Sequence, residues 1–316
     1  MIKKLLLICL LFCGKLFAQT PTNFDSSLIA ELAKLMDSAA APKSFVNVDF
    51  GFGNREFSAN NNAINADQSV VNRLYFTPSF TYFHKSGFNF SITPYISNIN
   101  GAVKLFQTAI SPAYGYDGKK ISTSVSYTHY YADNKTYNGN STFQDEIYAA
   151  LKYKKLYLQP VATFGFAKGN FREINLDSIK VLGQKKYIKD STHNSIKALN
   201  VSLGVEHSFE FDKIFTKQDA ITITPQLAVN FGNEKFTTTH INKIYARAVN
   251  RGRRVRSQTS TDNTPFAVQS AALSLTLNYE IGAFYIMPNY YGDYYLPPTD
   301  SKRLSSTFSI SFGYNF

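Results

Sequence analysis

Ser305–Phe316 reads SSTFSISFGYNF, and from Phe308 onward it alternates without a slip. Phe308, Ile310, Phe312, Tyr314 and Phe316 fall on one face, and Ser309, Ser311, Gly313 and Asn315 on the other. Successive side chains of a strand point to opposite faces, so this period of two predicts a strand with one apolar and one polar side. The pattern repeats far upstream. Val46, Val48, Phe50 and Phe52 alternate with Asn47, Asp49, Gly51 and Gly53; Leu199, Val201, Leu203 and Val205 alternate with Asn200, Ser202, Gly204 and Glu206. Twelve such segments are expected, near 44–57, 72–83, 87–98, 103–116, 120–132, 142–154, 156–167, 196–211, 219–232, 266–279, 284–295 and 304–316. The polar faces carry Ser, Thr, Asn, Gly and Tyr rather than Lys, Glu and Asp, which suits a crowded interior better than the solvated face of a secreted β-sandwich.

The connections alternate in length. His84–Gly87, Asp117–Lys120, Lys154–Lys155 and Glu280–Ala283 are tight turns, with a slightly longer one at Asp212–Lys217. Between them lie long connections at 58–71, 132–141, 168–195, 232–265 and 296–303, and a shorter one near Asn98–Ala102. Short turns at one end and long loops at the other are the layout of a membrane barrel, and strands of this length suit a tilted bilayer crossing. Six prolines, at 78, 94, 112, 160, 225 and 288, sit in phase with the apolar face. Because proline cannot donate to a ladder, a ring of bulges or ladder ends on that face is one expectation, and proline as a tolerated apolar residue there is the other.

The 316 residues are 44% hydrophobic, 15% aromatic and only 17% charged, which excludes a disordered chain. The longest apolar run, Leu5–Phe12, is far too short for a spanning helix. With Lys3 and Lys4 before it and Leu16-Phe17-Ala18 after it, residues 1–18 read as a secretory signal peptide. Both cysteines, Cys9 and Cys13, lie inside it, so the mature chain is expected to have neither a disulfide nor a thiolate metal site. Residues 19–43 form a periplasmic leader in which Leu28, Ile29, Leu32, Leu35 and Met36 recur at helical spacing and Pro42 ends the run, predicting a short amphipathic helix. Residues 44–316 form the barrel.

The signal, the twelve alternating segments, the alternating connections and the final aromatic strand together resemble Gram-negative outer-membrane β-barrel proteins, across nearly the whole mature chain. The resemblance implies an all-β, antiparallel, up-and-down transmembrane barrel of about twelve strands in the cell outer membrane. It also implies that the last strand, ending in Phe316, is read by the barrel-assembly machinery.

Site chemistry is sparse. The five histidines show no metal-ligand spacing, and no cofactor is expected. His84 and Ser86 match the His-x-Ser pair of outer-membrane lipid hydrolases, but in a tight turn and with no assignable third group, so an ordinary turn is the expected reading and no enzyme is expected. Charge is more informative. Segment 168–194 holds six Lys/Arg against three acids, and 232–264 holds seven against two. The densest patch is Arg247, Arg251, Arg253, Arg254 and Arg256, with a hairpin expected at Asn250–Arg253. A secreted chain has no nucleic acid to meet, so the expected partners of this patch are outer-membrane lipids, lipopolysaccharide above all. The function expected from these features is a narrow passive channel or structural barrel with basic extracellular loops, with loop-borne binding or adhesion as the alternative.

Overall fold

The computed structural model describes residues 43–54, 74–99, 101–132, 143–181, 184–245, 255–297 and 303–316. The expected leader helix lies outside them. Fourteen strands follow in order: β1 (Phe45–Gly53), β2 (Tyr75–Phe83), β3 (Phe88–Ile99), β4 (Ala102–Asp117), β5 (Ile121–Ala132), β6 (Asp145–Tyr153), β7 (Gln159–Val181), β8 (Gln184–Glu206), β9 (Phe209–Asp212), β10 (Asp219–Tyr245), β11 (Val255–Asn263), β12 (Ala267–Ile281), β13 (Phe284–Tyr295) and β14 (Leu304–Asn315). They make twelve staves. β9 continues β8 along the lower part of β10, and β11 and β12 share the other side of β10. Every pairing is antiparallel between neighbours in sequence, and β14 returns to β1, closing the ring from Asn47–Asn315 to Gly53–Ser309.

The two faces of this wall differ as the alternation requires. Leu227 is 60% exposed on the outside, Leu203 52% and Phe308 49%, whereas Asn230, Ser270 and Thr128 are buried within. Water would not tolerate so continuous an apolar exterior, and lipid requires one. The closed ring also leaves no lipid-facing ladder edge, which a bilayer interior demands. The chain is a transmembrane β-barrel.

Two long connections are not loops. β7 and β8 stay paired to Val181–Gln184, and β10 and β11 to Lys243–Val255, so the described parts of 168–195 and 232–265 continue as paired strands beyond the apolar band. β8 also pairs with β10 up to Tyr187–Tyr245, joining the two hairpins into one four-stranded extension. Along these stretches the apolar alternation that marks a strand in the sequence disappears. On the same side, β3 and β4 are joined by a tight turn, with Ile99 opposite Ala102 and Gly101 at φ 81°.

The prolines mark interruptions in the ladder. Pairing between β2 and β3 runs through Phe76–Ile96 and resumes at Phe80–Ile92, with Pro78 facing Pro94 in the gap. Gaps also lie at Pro112, between Ile110–His129 and Ala113–Ser126, and at Pro288, between Thr276–Asn289 and Tyr279–Ile286. Pro225 sits where β8 breaks from β9, its carbonyl accepting the His207 N–H at 3.3 Å. Pro160 simply opens its strand.

The closing seam is tied by one side chain. Tyr285 of β13 lies across Gly313 of β14, filling the space a Cβ would need there. Its hydroxyl donates to Asp49 Oδ2 of β1 at 2.9 Å and accepts from Asn47 Nδ2 at 3.2 Å. Asn47 Nδ2 also donates to Asn315 Oδ1 at 2.9 Å. An aromatic ring laid over a strand glycine restores the packing that the glycine lacks. Tyr285→Phe is therefore expected to lower unfolding stability by about 1–3 kcal/mol through the orphaned partners. Gly313→Ala should cost a similar amount by displacing the ring, and the double variant should cost less than the sum. Denaturant titration in detergent measures all three.

Candidate functional site: the lumen

The interior has an aromatic wall and a polar wall. On the first, Tyr75, Tyr95, Phe106, Ala109 and Tyr130 pack as one buried cluster from β2 to β5. Tyr75 and Phe106 lie 5.3 Å apart between ring centroids, and Tyr95 meets Phe106 edge-on at 6.0 Å. Phe106 is inside because of a bulge: Tyr95 pairs with Gln107 and Ile96 with Leu105, so Phe106 is the extra residue. Phe106 and Gln107 are consequently both buried, although simple alternation would send one of them to the lipid. A smaller apolar group, Phe143, Ala167 and Ile196, packs higher up.

On the second wall, Asn230 organises a buried network. Its Nδ2 donates to Ser270 Oγ and Tyr291 OH, each at 2.9 Å, and to Asp293 Oδ1 at 3.2 Å. Between the walls lies a cavity of about 340 Å³ lined by Ser122, Ser124, Tyr148, Thr163, Ser202 and Gln226 among others. Lys152 and Glu206 also border it, paired at 2.9 Å. Glu146 is buried in the aromatic wall, where its Oε2 accepts the Tyr130 hydroxyl at 2.9 Å. Among the described residues, the buried or half-buried ionisable carboxylates that face the lumen are thus Asp49, Glu146, Glu206 and Asp293, against one lysine, Lys152.

Tyr75, Tyr95, Tyr148 and Tyr285 face the lumen, whereas Tyr157 is 72% exposed in the turn before β7, its ring tilted against that of His207 at 4.1 Å.

His84 and Ser86 do meet, Nδ1 to Oγ at 2.8 Å, in the β2–β3 turn. The Ser86 N–H also donates to Nδ1 at 3.3 Å, so the imidazole nitrogen serves the turn itself. Among the described residues, no carboxylate pairs with His84. At the same mouth, Lys154 Nζ lies 2.6 Å from Asp117 Oδ1 and holds that carboxyl below its usual range. Arg247, Arg251, Arg253 and Arg254 lie outside the described residues, and Arg256 is placed on β11 opposite Asn242. Among the described residues, no group of His, Cys, Asp and Glu is arranged to hold a metal.

No protein-family model matches the chain, and no curated protein matches it. Among solved structures it is similar to "CymD monoaromatic hydrocarbon channel", at 11% identity, 94% coverage of each chain and a TM-score of 0.36. It is also similar to "Bacterial polysaccharide outer membrane secretin", at 7% identity, covering 88% of this chain and 99% of that one with a TM-score of 0.35. A third is BamA from Haemophilus ducreyi lacking POTRA domains 1-3, at 9% identity, 95% and 80% coverage and a TM-score of 0.30. At this level of similarity the functional reading rests on the barrel's own residues.

Proposed function

We propose that this Gram-negative outer-membrane barrel is a narrow passive channel. The observation that carries the reading is the polar, partly open lumen: a cavity of about 340 Å³ lined by small hydroxyl and amide side chains inside a closed ring. A twelve-stave barrel lies between those filled by side chains and the wide porins, so the path is narrow. The His84–Ser86 pair is read as turn chemistry and the protein as no enzyme. The arginine cluster at 247–256 binds lipopolysaccharide phosphates, and the strand ending in Phe316 engages the assembly machinery. Purified protein in a planar bilayer is expected to show small, steady, ohmic steps of conductance. A silent barrel would remove the channel reading and leave the alternative of loop-borne binding, which the four-stranded extension favours.

A further inference from the structure

The outer face of the wall carries a feature that no single stretch of sequence displays. His129 of β5 pairs in register with Asp145 of β6, Asp145 with Lys168 of β7, Lys168 with Lys197 of β8, and Lys197 with Lys235 of β10. Directly paired residues share a face, and these share it with the lipid-facing Tyr127, Ile147, Phe164, Leu203 and Leu227. Three lysines therefore stand side by side on adjacent strands, all exposed. Asp145 is the only carboxylate in the row, and it is already engaged by the Tyr127 hydroxyl and by His129 Nδ1 at 2.8 Å. It reaches Lys168 Nζ at 3.5 Å.

Like charges directly opposite one another destabilise a sheet. The row tolerates them at one height: Phe166 on β7 and Leu199 on β8 lie two residues below, and Phe231 on β10 four below, so the lysines cap the apolar band at the end bearing the hairpin extension. Lysine stems can lie along such a band while their ammonium groups reach the headgroup layer. We propose that Lys168, Lys197 and Lys235 form a phosphate-binding ridge for lipopolysaccharide in the outer leaflet. The ridge rests on the lipid-partner reading above but uses residues separate from the arginine cluster. Three cations against one shared carboxylate fit an acyl-chain lipid whose phosphates lie just above its hydrocarbon, since the strand below the ridge offers the tails an apolar wall.

The test is binding of purified lipopolysaccharide, intact or stripped of its phosphates, to the full chain in phosphatidylcholine vesicles. Lys168→Gln/Lys197→Gln/Lys235→Gln is expected to bind intact lipopolysaccharide roughly tenfold more weakly than wild type, with the difference shrinking as salt rises. The triple Lys→Arg variant, which keeps the charge, should bind like wild type and controls for folding. Equal binding by the Gln variant and wild type overturns the ridge, as does an equal loss in the Arg variant or undiminished binding of the stripped lipid. Arg251→Gln/Arg253→Gln/Arg254→Gln/Arg256→Gln is the separate arm: if it alone weakens binding, the loop reading stands and the ridge falls; if it alone binds normally, the reverse holds.

Discussion

Replacing Gly87 with alanine is expected to destabilise the barrel by about 3 kcal/mol or more, a large share of a typical stability. Gly87 has φ 94°, a conformation L side chains rarely adopt, and a Cβ there would overlap the backbone carbonyl of Gly115 on β4. The clash cannot be relieved by a rotamer. Gly87 N–H donates to His84 O at 2.9 Å, and its own carbonyl accepts from Gly115 N at 2.9 Å, so the turn is fixed at both ends. Gly282 is the control. It has φ 60° with nothing within 4 Å of the would-be Cβ, so Gly282→Ala should cost only about 1 kcal/mol. Denaturant midpoints in detergent separate the two. Equal losses at both positions would mean that backbone conformation alone, and not the contact with β4, sets the effect.

The second large effect concerns ion selectivity, given that the barrel conducts. The chain is basic as a whole, with a formal net charge of +11, yet the buried and half-buried charges facing the lumen are mostly acidic among the described residues. Asp49, Glu146, Glu206 and Asp293 face inward against Lys152 alone among the described buried and half-buried groups. Glu206 is neutralised by Lys152, whereas the described partners of Asp49 and Asp293 are neutral donors. Carboxylates lining a narrow path attract cations and repel anions. Reversal potentials in a potassium chloride gradient should therefore show cation preference. Asp49→Asn and Asp293→Asn together should reduce the permeability ratio by roughly tenfold. Lys152→Gln should raise it. Anion preference in the wild type would show that the basic exterior, and not the lumen, governs the ions.

The staves themselves were legible because lipid and lumen impose opposite chemistry on alternate residues. Val46–Gly53, Leu199–Glu206 and Phe308–Asn315 carry that contrast in full, and the structure has strands at each. Legibility failed wherever the contrast fails. Thr237, Thr239 and their neighbours on β10 belong to a strand with polar residues on both faces and read as loop. The inward turn of Phe106 needed a bulge, and one extra residue cannot be seen in an unaligned strand. The lysine row was hidden for another reason: Lys168, Lys197 and Lys235 are far apart in sequence and become neighbours only once the register is fixed. The His84–Ser86 contact was legible because its partners are two residues apart. The arginine cluster was legible as charge, although only Arg256 falls among the described residues.

The seam between β1 and β14 has a consequence for how the molecule comes into being. The ring closes only when Asn315 reaches Asn47, and Phe316 N–H finds Val46 O at 2.7 Å. The first stave therefore waits for the last residues of the chain before its outer ladder has a partner. Without β14, β1 has no partner on its outer side, and the sheet is an open ribbon with two bare rims, the form most prone to pair with another chain. Synthesis and folding are thus separated in time by topology: until the last stave is in place, the polypeptide is an unfinished sheet or an unfolded thread. Removing the last twelve residues would erase the clasp rather than trim the edge.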